Sequence, residues 1–157
     1  MPATKEASAR QLLRYDTFKD SRAHLADVID TAQDGLLVHL HRGGSNRERR
    51  AGSVAVMKTT VLRDILEHLV ADAVVVEHDS DEQLYTVAID GLPLAAEGES
   101  ISDAFAELVD DIRDYCDDWV DRLRFAPNHA GNLPVVFLAQ TMSDDELHEW
   151  LKKQAGE

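Results

Sequence analysis

Cysteine is almost missing from this chain, and long apolar runs are missing altogether. The single cysteine, Cys116, excludes an internal disulfide and any metal site built from several cysteines. No run approaches the roughly 18 apolar residues that a transmembrane helix needs. The polar start has no apolar core of the kind that signal peptides carry. These absences predict a cytoplasmic protein without a membrane segment, and residues 1–11 are predicted to form a flexible arm.

Motifs for metal ions, phosphate groups and covalent catalysis are also missing. His39 and His41 share one face of a predicted strand, but no carboxylate or cysteine at a matching spacing accompanies them. No Gly-Lys-Ser/Thr follows the pair Gly43-Gly44, and no Gly-x-Ser-x-Gly motif occurs. We therefore expect no metal ion, no cofactor and no catalytic activity.

The most informative feature that the chain does have is a split in its charge. Residues 1–69 carry 11 Lys/Arg against 9 Asp/Glu, a net charge of +2. Residues 70–157 carry 5 against 21, a net charge of −16. Such an asymmetry suggests two different partners, one of them often a polyanion. We predict two domains, covering residues 12–69 and 70–157, within an α+β fold.

Hydrophobic periodicity predicts the order β-α-β-β-α for the first domain. The predicted elements are a strand over 12–16, a helix from Thr17 to Asp34, strands over 36–41 and 52–57, and a helix from Thr59 or Thr60 to Leu69. The second domain is predicted to contain a β-hairpin and a helical C-terminal part. Its predicted elements are strands over 73–77 and 84–89, a long helix over 101–123, a loop over 126–132, a helix over 134–140 and a last helix from Ser143.

The segment Asp16-Thr-Phe-Lys-Asp-Ser-Arg-Ala-His-Leu25 resembles a motif of the Phd/YefM (prevent-host-death) antitoxins. That family has a capping Ser/Thr, an acidic residue, a small residue, Arg and then Leu. Here these positions are Thr17, Asp20, Ser21, Arg22 and Leu25. The resemblance covers residues 12–69 and includes the order of elements, although the hairpin loop is longer and richer in arginine. Residues 84–108, with Gly98-Glu-Ser-Ile-Ser-Asp-Ala104, are similar to HicB-type antitoxins.

The Phd/YefM resemblance implies a type II antitoxin. Such a protein is a homodimer that binds its own operator as double-stranded DNA, represses its operon and neutralises a cognate toxin. Many of these toxins are basic RNases, so an acidic second domain is expected to bind the toxin.

Seven basic residues of the first domain are candidates for DNA contact. The loop over 42–50 holds four arginines and one glutamate, and it is either a phosphate clamp or a solvated hairpin tip. Arg22, predicted on the first turn of its helix, could reach a phosphate with help from the helix N-terminus. The candidates are Arg14, Lys19, Arg22, Arg42, Arg47, Arg49 and Arg50.

The long helix of the second domain carries eight acidic residues, opposed only by Arg113. This acidic face is either a solvated surface or a docking site for a basic partner. The candidates for partner contact on it are Asp110, Asp114, Asp117 and Asp121.

Asn128 and His129, in a polar loop, are the remaining candidate for a functional pair. Without a nearby nucleophile they favour a structural turn or a partner contact. Two rival interpretations stay open: an enzyme with a small-molecule pocket around this pair, and an adaptor that has kept the fold without binding DNA.

Overall fold

The chain divides into two compact units, Met1–Leu62 and Arg63–Glu157. The structure, a computed structural model, describes residues 14–15, 18–42 and 52–156. The boundary between the units lies between Leu62 and Arg63, inside a helix, whereas the charge pattern predicts it after Leu69. In the described part of the chain, no helix is both long and apolar enough to cross a membrane.

The first unit contains a three-stranded sheet and two consecutive helices. Its elements are β1 (Arg14–Tyr15), α1 (Phe18–Ala23), α2 (Leu25–Gln33), β2 (Val38–Arg42), β3 (Gly52–Val56) and the start of α3 (Thr59–Leu69). In the sheet, β2 lies between β1, to which it is parallel, and β3, to which it is antiparallel.

The prediction of a single helix from Thr17 to Asp34 is wrong, because the helix is interrupted at His24. This residue has φ −117° and ψ 31°, outside the helical region. Its imidazole Nδ1 is 3.1 Å from the carboxylate of Asp27 and hydrogen-bonds with it in the first turn of α2. The apolar period continues across the break, so periodicity alone does not reveal it.

Among the described residues of the first unit, the buried apolar cluster is small. Val28, Ala32 and Val38 are buried, and Leu40 and Val56 pack against them partly buried. Other apolar side chains that the sequence predicts on the same helix face lie largely in solvent. The exposed fraction is 56% for Leu25 and 45% for Ile29.

The second unit has a three-stranded antiparallel sheet in the order β4-β5-β6. The strands are β4 (Val74–Asp79), β5 (Leu84–Ile89) and β6 (Ala95–Gly98). The predicted hairpin therefore has a third strand. A turn at Gly91, with φ 79°, reverses the chain, and the Ile89 amide donates to the Leu94 carbonyl at 3.1 Å.

Three α-helices follow this sheet along the chain. They are α4 (Ile101–Asp121), α5 (Leu133–Gln140) and α6 (Asp144–Ala155), with short 3₁₀ helices at Leu123–Phe125 and Pro127–Asn132 between α4 and α5. The 3₁₀ helix replaces the predicted loop over 126–132, whereas α5 occurs as predicted. Ser100 and Ser143 cap α4 and α6, and Glu146 completes a capping box.

The core of the second unit is the apolar face of α4 packed against the sheet, α5 and α6. Phe105, Leu108 and Ile112 are fully buried on α4. Trp119 and Trp150 are also buried, with exposed fractions of 9% and 4%. The predicted α+β class is therefore confirmed.

Two arginines bind the turn between α5 and α6. Arg113 of α4 donates to the carbonyl oxygens of Ala139 and Met142 at 2.6 and 2.8 Å, and to the carboxylate of Asp144 at 2.8 Å. Arg63 of α3 donates to the Thr141 carbonyl and to the carboxylate of Glu146. These bonds hold the C-terminal end of α5 and the turn that follows it.

Candidate partner-binding surfaces

Four aspartates of α4 form a continuous exposed line, which we call the acidic stripe. It consists of Asp110, Asp114, Asp117 and Asp121, and all four are exposed. Their spacing of 4, 3 and 4 residues places them on one side of the helix, because an α-helix has 3.6 residues per turn. Among the described residues, none of the four makes an ion pair. The stripe therefore presents four uncompensated charges to solvent.

The basic residues near the stripe have other partners. Arg113, which the sequence sets against the acidic face, points instead to the turn between α5 and α6. Arg122 pairs with Asp118 one turn earlier. The hydrogen bond from Arg122 holds the pKa of the Asp118 carboxyl below its usual range.

Arg22 is exposed but lies in the last turn of α1. The expectation that it lies on the first turn is wrong because the helix ends at Ala23. The N-terminus of the helix therefore does not help Arg22 to bind a phosphate.

The remaining DNA-binding candidates are placed only in part. Lys19 is exposed on α1. Arg14 lies in β1 and Arg42 ends β2, with side chains outside the described part. Arg47, Arg49 and Arg50 are outside the described residues, so the phosphate clamp stays a prediction.

His129 belongs to an internal hydrogen-bond network. Its Nδ1 is 2.8 Å from the hydroxyl oxygen of Tyr115, which also accepts a hydrogen bond from the Asn132 amide at 2.6 Å. Its backbone carbonyl accepts a hydrogen bond from Trp119 Nε1 at 3.1 Å. The network ties the second 3₁₀ helix to α4, which agrees with the structural-turn interpretation. Asn128, next to it, is exposed.

The side chain of Asn132, which precedes α5, makes no cap bond to that helix. Its amide is used by the network around Tyr115 instead. No sequence signal reveals this network, because Tyr115 falls on the apolar stripe of α4 and is predicted only as a core residue.

An open pocket of about 310 Å³ lies beside Asn132, but neither Asn128 nor His129 lines it. This pocket therefore gives no support to the rival interpretation of a small-molecule site around that pair. Among the residues described, no three His, Cys, Asp or Glu side chains are grouped to hold a metal ion. Burial raises the pKa of the Cys116 thiol to about 11, so this cysteine is a poor nucleophile.

Helix α5 runs antiparallel along α4. Arg113 of α4 bonds to the carbonyl of Ala139, and Cys116 Sγ, one turn later, lies 4.0 Å from the carbonyl oxygen of Val136. Residues later in α4 therefore contact residues earlier in α5. The first residue of α5, Leu133, consequently lies beside the C-terminal end of α4.

Four exposed apolar residues lie around this end of α4, and we call them the apolar patch. The exposed fractions are 39% for Val120, 75% for Phe125, 36% for Leu133 and 38% for Phe137. The rings of Phe137 and Trp119 meet edge to face with centroids 6.5 Å apart. The sequence does not reveal this patch, because apolar residues on a helical stripe or in a connection carry no sign of exposure.

The comparisons with known proteins agree with this architecture. The model of a PHD-like family, described as antitoxin of toxin–antitoxin RelE/RelB systems, matches residues 15–134. No curated protein matches the chain. A crystal structure of the antitoxin part of a proposed toxin/antitoxin system from Syntrophomonas wolfei subsp. wolfei is similar in fold, with a TM-score of 0.67 and 19% identity. The alignment covers 89% of this chain and 95% of that one.

The family match continues past Leu69 and includes most of the second unit. The similarity of residues 84–108 to HicB-type antitoxins stays a prediction. The match to the PHD-like family model spans far more than half of the chain. The chain therefore belongs to the PHD-like family of antitoxins from toxin–antitoxin systems.

Proposed function

We propose that this antitoxin neutralises a basic toxin through the acidic stripe, and that it represses its own operon by binding operator DNA as a homodimer. Membership of the antitoxin family implies a toxin partner. The observation that carries the proposed site is the stripe itself, four exposed aspartates on one side of α4 without a described ion-pair partner.

The charge of the second unit fits a basic partner. Residues 63–157 carry 6 Lys/Arg against 23 Asp/Glu, a net charge of −17. A field of this sign speeds the encounter with a cationic protein and repels an anionic one. Asp117 and Asp121 also lie near the C-terminal end of α4, where the helix dipole disfavours negative charge. A docking role explains why the chain keeps charges that cost folding stability.

The test is to convert Asp110, Asp114, Asp117 and Asp121 together to Asn and to measure association with the protein encoded by the neighbouring gene, which is the expected toxin. We expect the association rate to fall about tenfold at low salt, with a smaller effect at high salt. The full chain should melt at a slightly higher temperature, because adjacent like charges on a helix repel one another.

A matched variant separates the stripe from the overall charge. Glu77, Asp81, Glu82 and Glu97 are exposed in or beside the sheet of the same unit. Their conversion to Gln or Asn removes the same number of negative charges, but none of these charges lies on α4. Equal slowing by both variants, or an unchanged rate in the stripe variant, contradicts a docking role for the stripe.

The first unit has the charge expected for DNA contact. Residues 1–62 carry 10 Lys/Arg against 7 Asp/Glu, a net charge of +3. Lys19 and Arg22 are both exposed on α1, and the arginine-rich loop connects β2 to β3 of the same unit. Contacts to phosphates supply most non-specific affinity and make it dependent on salt.

Replacing Arg47, Arg49 and Arg50 by Ala should weaken binding to the upstream DNA of this gene. It should also lower the salt slope by roughly 1 for each phosphate that is no longer neutralised. Because phosphate contacts are not sequence-specific, binding to an unrelated duplex should weaken in parallel. Unchanged affinity in a gel-shift titration returns the loop to the solvated-tip interpretation and favours an adaptor.

Dimer formation is proposed for the first unit because the buried apolar cluster among its described residues is small and several apolar side chains among them are exposed. Leu36 and Val54 have exposed fractions of 59% and 63%, in addition to the exposed Leu25 and Ile29. Burying such surface between two copies would add the apolar area that a small unit lacks. Sedimentation of the full chain at micromolar concentration should give a dimer, and a folded monomer contradicts the proposal.

A further inference from the structure

We infer that the apolar patch of Val120, Phe125, Leu133 and Phe137 anchors the toxin and limits its dissociation, whereas the acidic stripe beside it speeds association. This inference rests on the proposed function, since it assigns a second surface to the same toxin. The occupant is a segment of the toxin with apolar side chains flanked by Lys or Arg.

The patch has the composition of an interface centre. Clusters of exposed apolar side chains mark interaction sites when they are large. Phe125 is 75% exposed and Phe137 is 38% exposed, so two aromatic rings are presented to solvent. Aromatic residues dominate the energetic centres of interfaces because they bury a large area at low conformational cost.

Phe125 is supported on one side by a cation. The guanidinium carbon of Arg124 lies 4.7 Å from the centroid of the Phe125 ring. This contact restricts the ring while leaving most of it accessible. Binding therefore orders less side chain than an unsupported phenylalanine would require.

Charge determines which occupant fits. Val120 lies between Asp117 and Asp121 in sequence, so the edge of the patch adjoins the C-terminal half of the acidic stripe. A cationic flank on the bound segment would meet these carboxylates as its apolar residues cover the patch. A second copy of this chain is disfavoured, because its second unit also has a net charge of −17.

The experiment compares two valines that are exposed to nearly the same extent. Val120 is 39% exposed in the patch, and Val75 is 43% exposed on β4. Val120→Thr combined with Phe125→Ala is measured against Val75→Thr in the full chain. The Thr substitutions keep the side-chain volume, and Phe125 is too exposed to support the core, so melting curves should verify that all variants fold.

The probe is the purified protein encoded by the neighbouring gene, which is the expected toxin, and its binding is measured by surface plasmon resonance at low and high salt. We expect the Val120→Thr/Phe125→Ala variant to dissociate at least about tenfold faster at both salt concentrations, with an association rate within about twofold of the parent. The stripe variant should show the reverse pattern, and Val75→Thr should leave both rates unchanged.

Each other outcome overturns the inference in a distinguishable way. If all variants bind the toxin tightly with an unchanged dissociation rate, the proposed role of the patch is contradicted, whereas toxin neutralisation is not. Failure of the parent chain to bind the toxin contradicts the proposed function itself. Loss of self-association in the patch variant, without a change in toxin dissociation, identifies a second copy of the chain as the occupant.

Discussion

Replacement of Arg113 should destabilise the second unit more than any other single change of a surface charge. One guanidinium group bridges α4 to the turn between α5 and α6 through three hydrogen bonds, with lengths of 2.6 to 2.8 Å. Two of these bonds end on the backbone carbonyls of Ala139 and Met142. Arg113→Met keeps much of the side-chain stem but leaves both carbonyls without this donor, and Arg113→Lys can restore only part of the fork.

The magnitude follows from the three hydrogen bonds. A hydrogen bond from a charged donor contributes about 1.5–3 kcal/mol when it is well shielded. Arg113 is 31% exposed, so we take about 1 kcal/mol for each carbonyl bond. The carboxylate of Asp144 is 73% exposed, so the ion pair adds at most about 1 kcal/mol. The sum is about 2–3 kcal/mol for Arg113→Met, and about half of that for Arg113→Lys.

Urea denaturation followed by tryptophan fluorescence is the appropriate assay. Both tryptophans of the chain, Trp119 and Trp150, are buried in the second unit, so their emission reports on that unit alone. Asp144→Asn is the control and should cost less than about 1 kcal/mol. An Arg113→Met variant within about 0.5 kcal/mol of the parent would refute the reasoning, because it would show that the carbonyl bonds add nothing beyond hydration.

Three further predictions concern single residues. Hydrogen bonds from the Ser143 amide and then Arg63 hold the pKa of Glu146 below its ordinary 4.5, so its stabilising contribution is present above that pH and is lost as the pH falls. The stability advantage over Glu146→Gln should therefore shrink in acidic urea titrations, and a constant difference contradicts this. Gly98→Ala should lower the free energy of unfolding by about 1–3 kcal/mol, because the added Cβ would lie 2.5 Å from the backbone nitrogen of Ala104. An unchanged melting temperature would contradict this close contact. Cys116, buried and with a raised pKa, should resist a thiol reagent at pH 8 until the protein unfolds, so rapid labelling of the native chain opposes its burial.

The helices with strong local signals could be predicted from the sequence alone. Ser100 and Ser143 cap α4 and α6 as their spacing to an acidic residue predicts. The line of aspartates along α4 also follows from spacing, since a 3.6-residue period fixes which side chains share a face. Strand β5 occurs with the predicted bounds of Leu84 and Ile89.

Other features were not predictable because they depend on partners distant in sequence. The role of Arg113 depends on carbonyl groups at Ala139 and Met142, and the orientation of His129 depends on the hydroxyl of Tyr115. Neither contact leaves a periodic or local trace in the chain. The interruption of the helix at His24 is local, but it is not predictable either, because the apolar residues keep their helical spacing across it.

The residues alone predict the antitoxin resemblance, the opposite charges of the two parts and the acidic face of α4. These properties depend on residue identity and local spacing. The packing of the helices, in contrast, sets which apolar residues remain exposed, and it leaves Val120, Phe125, Leu133 and Phe137 at the surface. Exposure is a property of how α5 lies against α4, and the same side chains would be core residues under a different packing of the two helices.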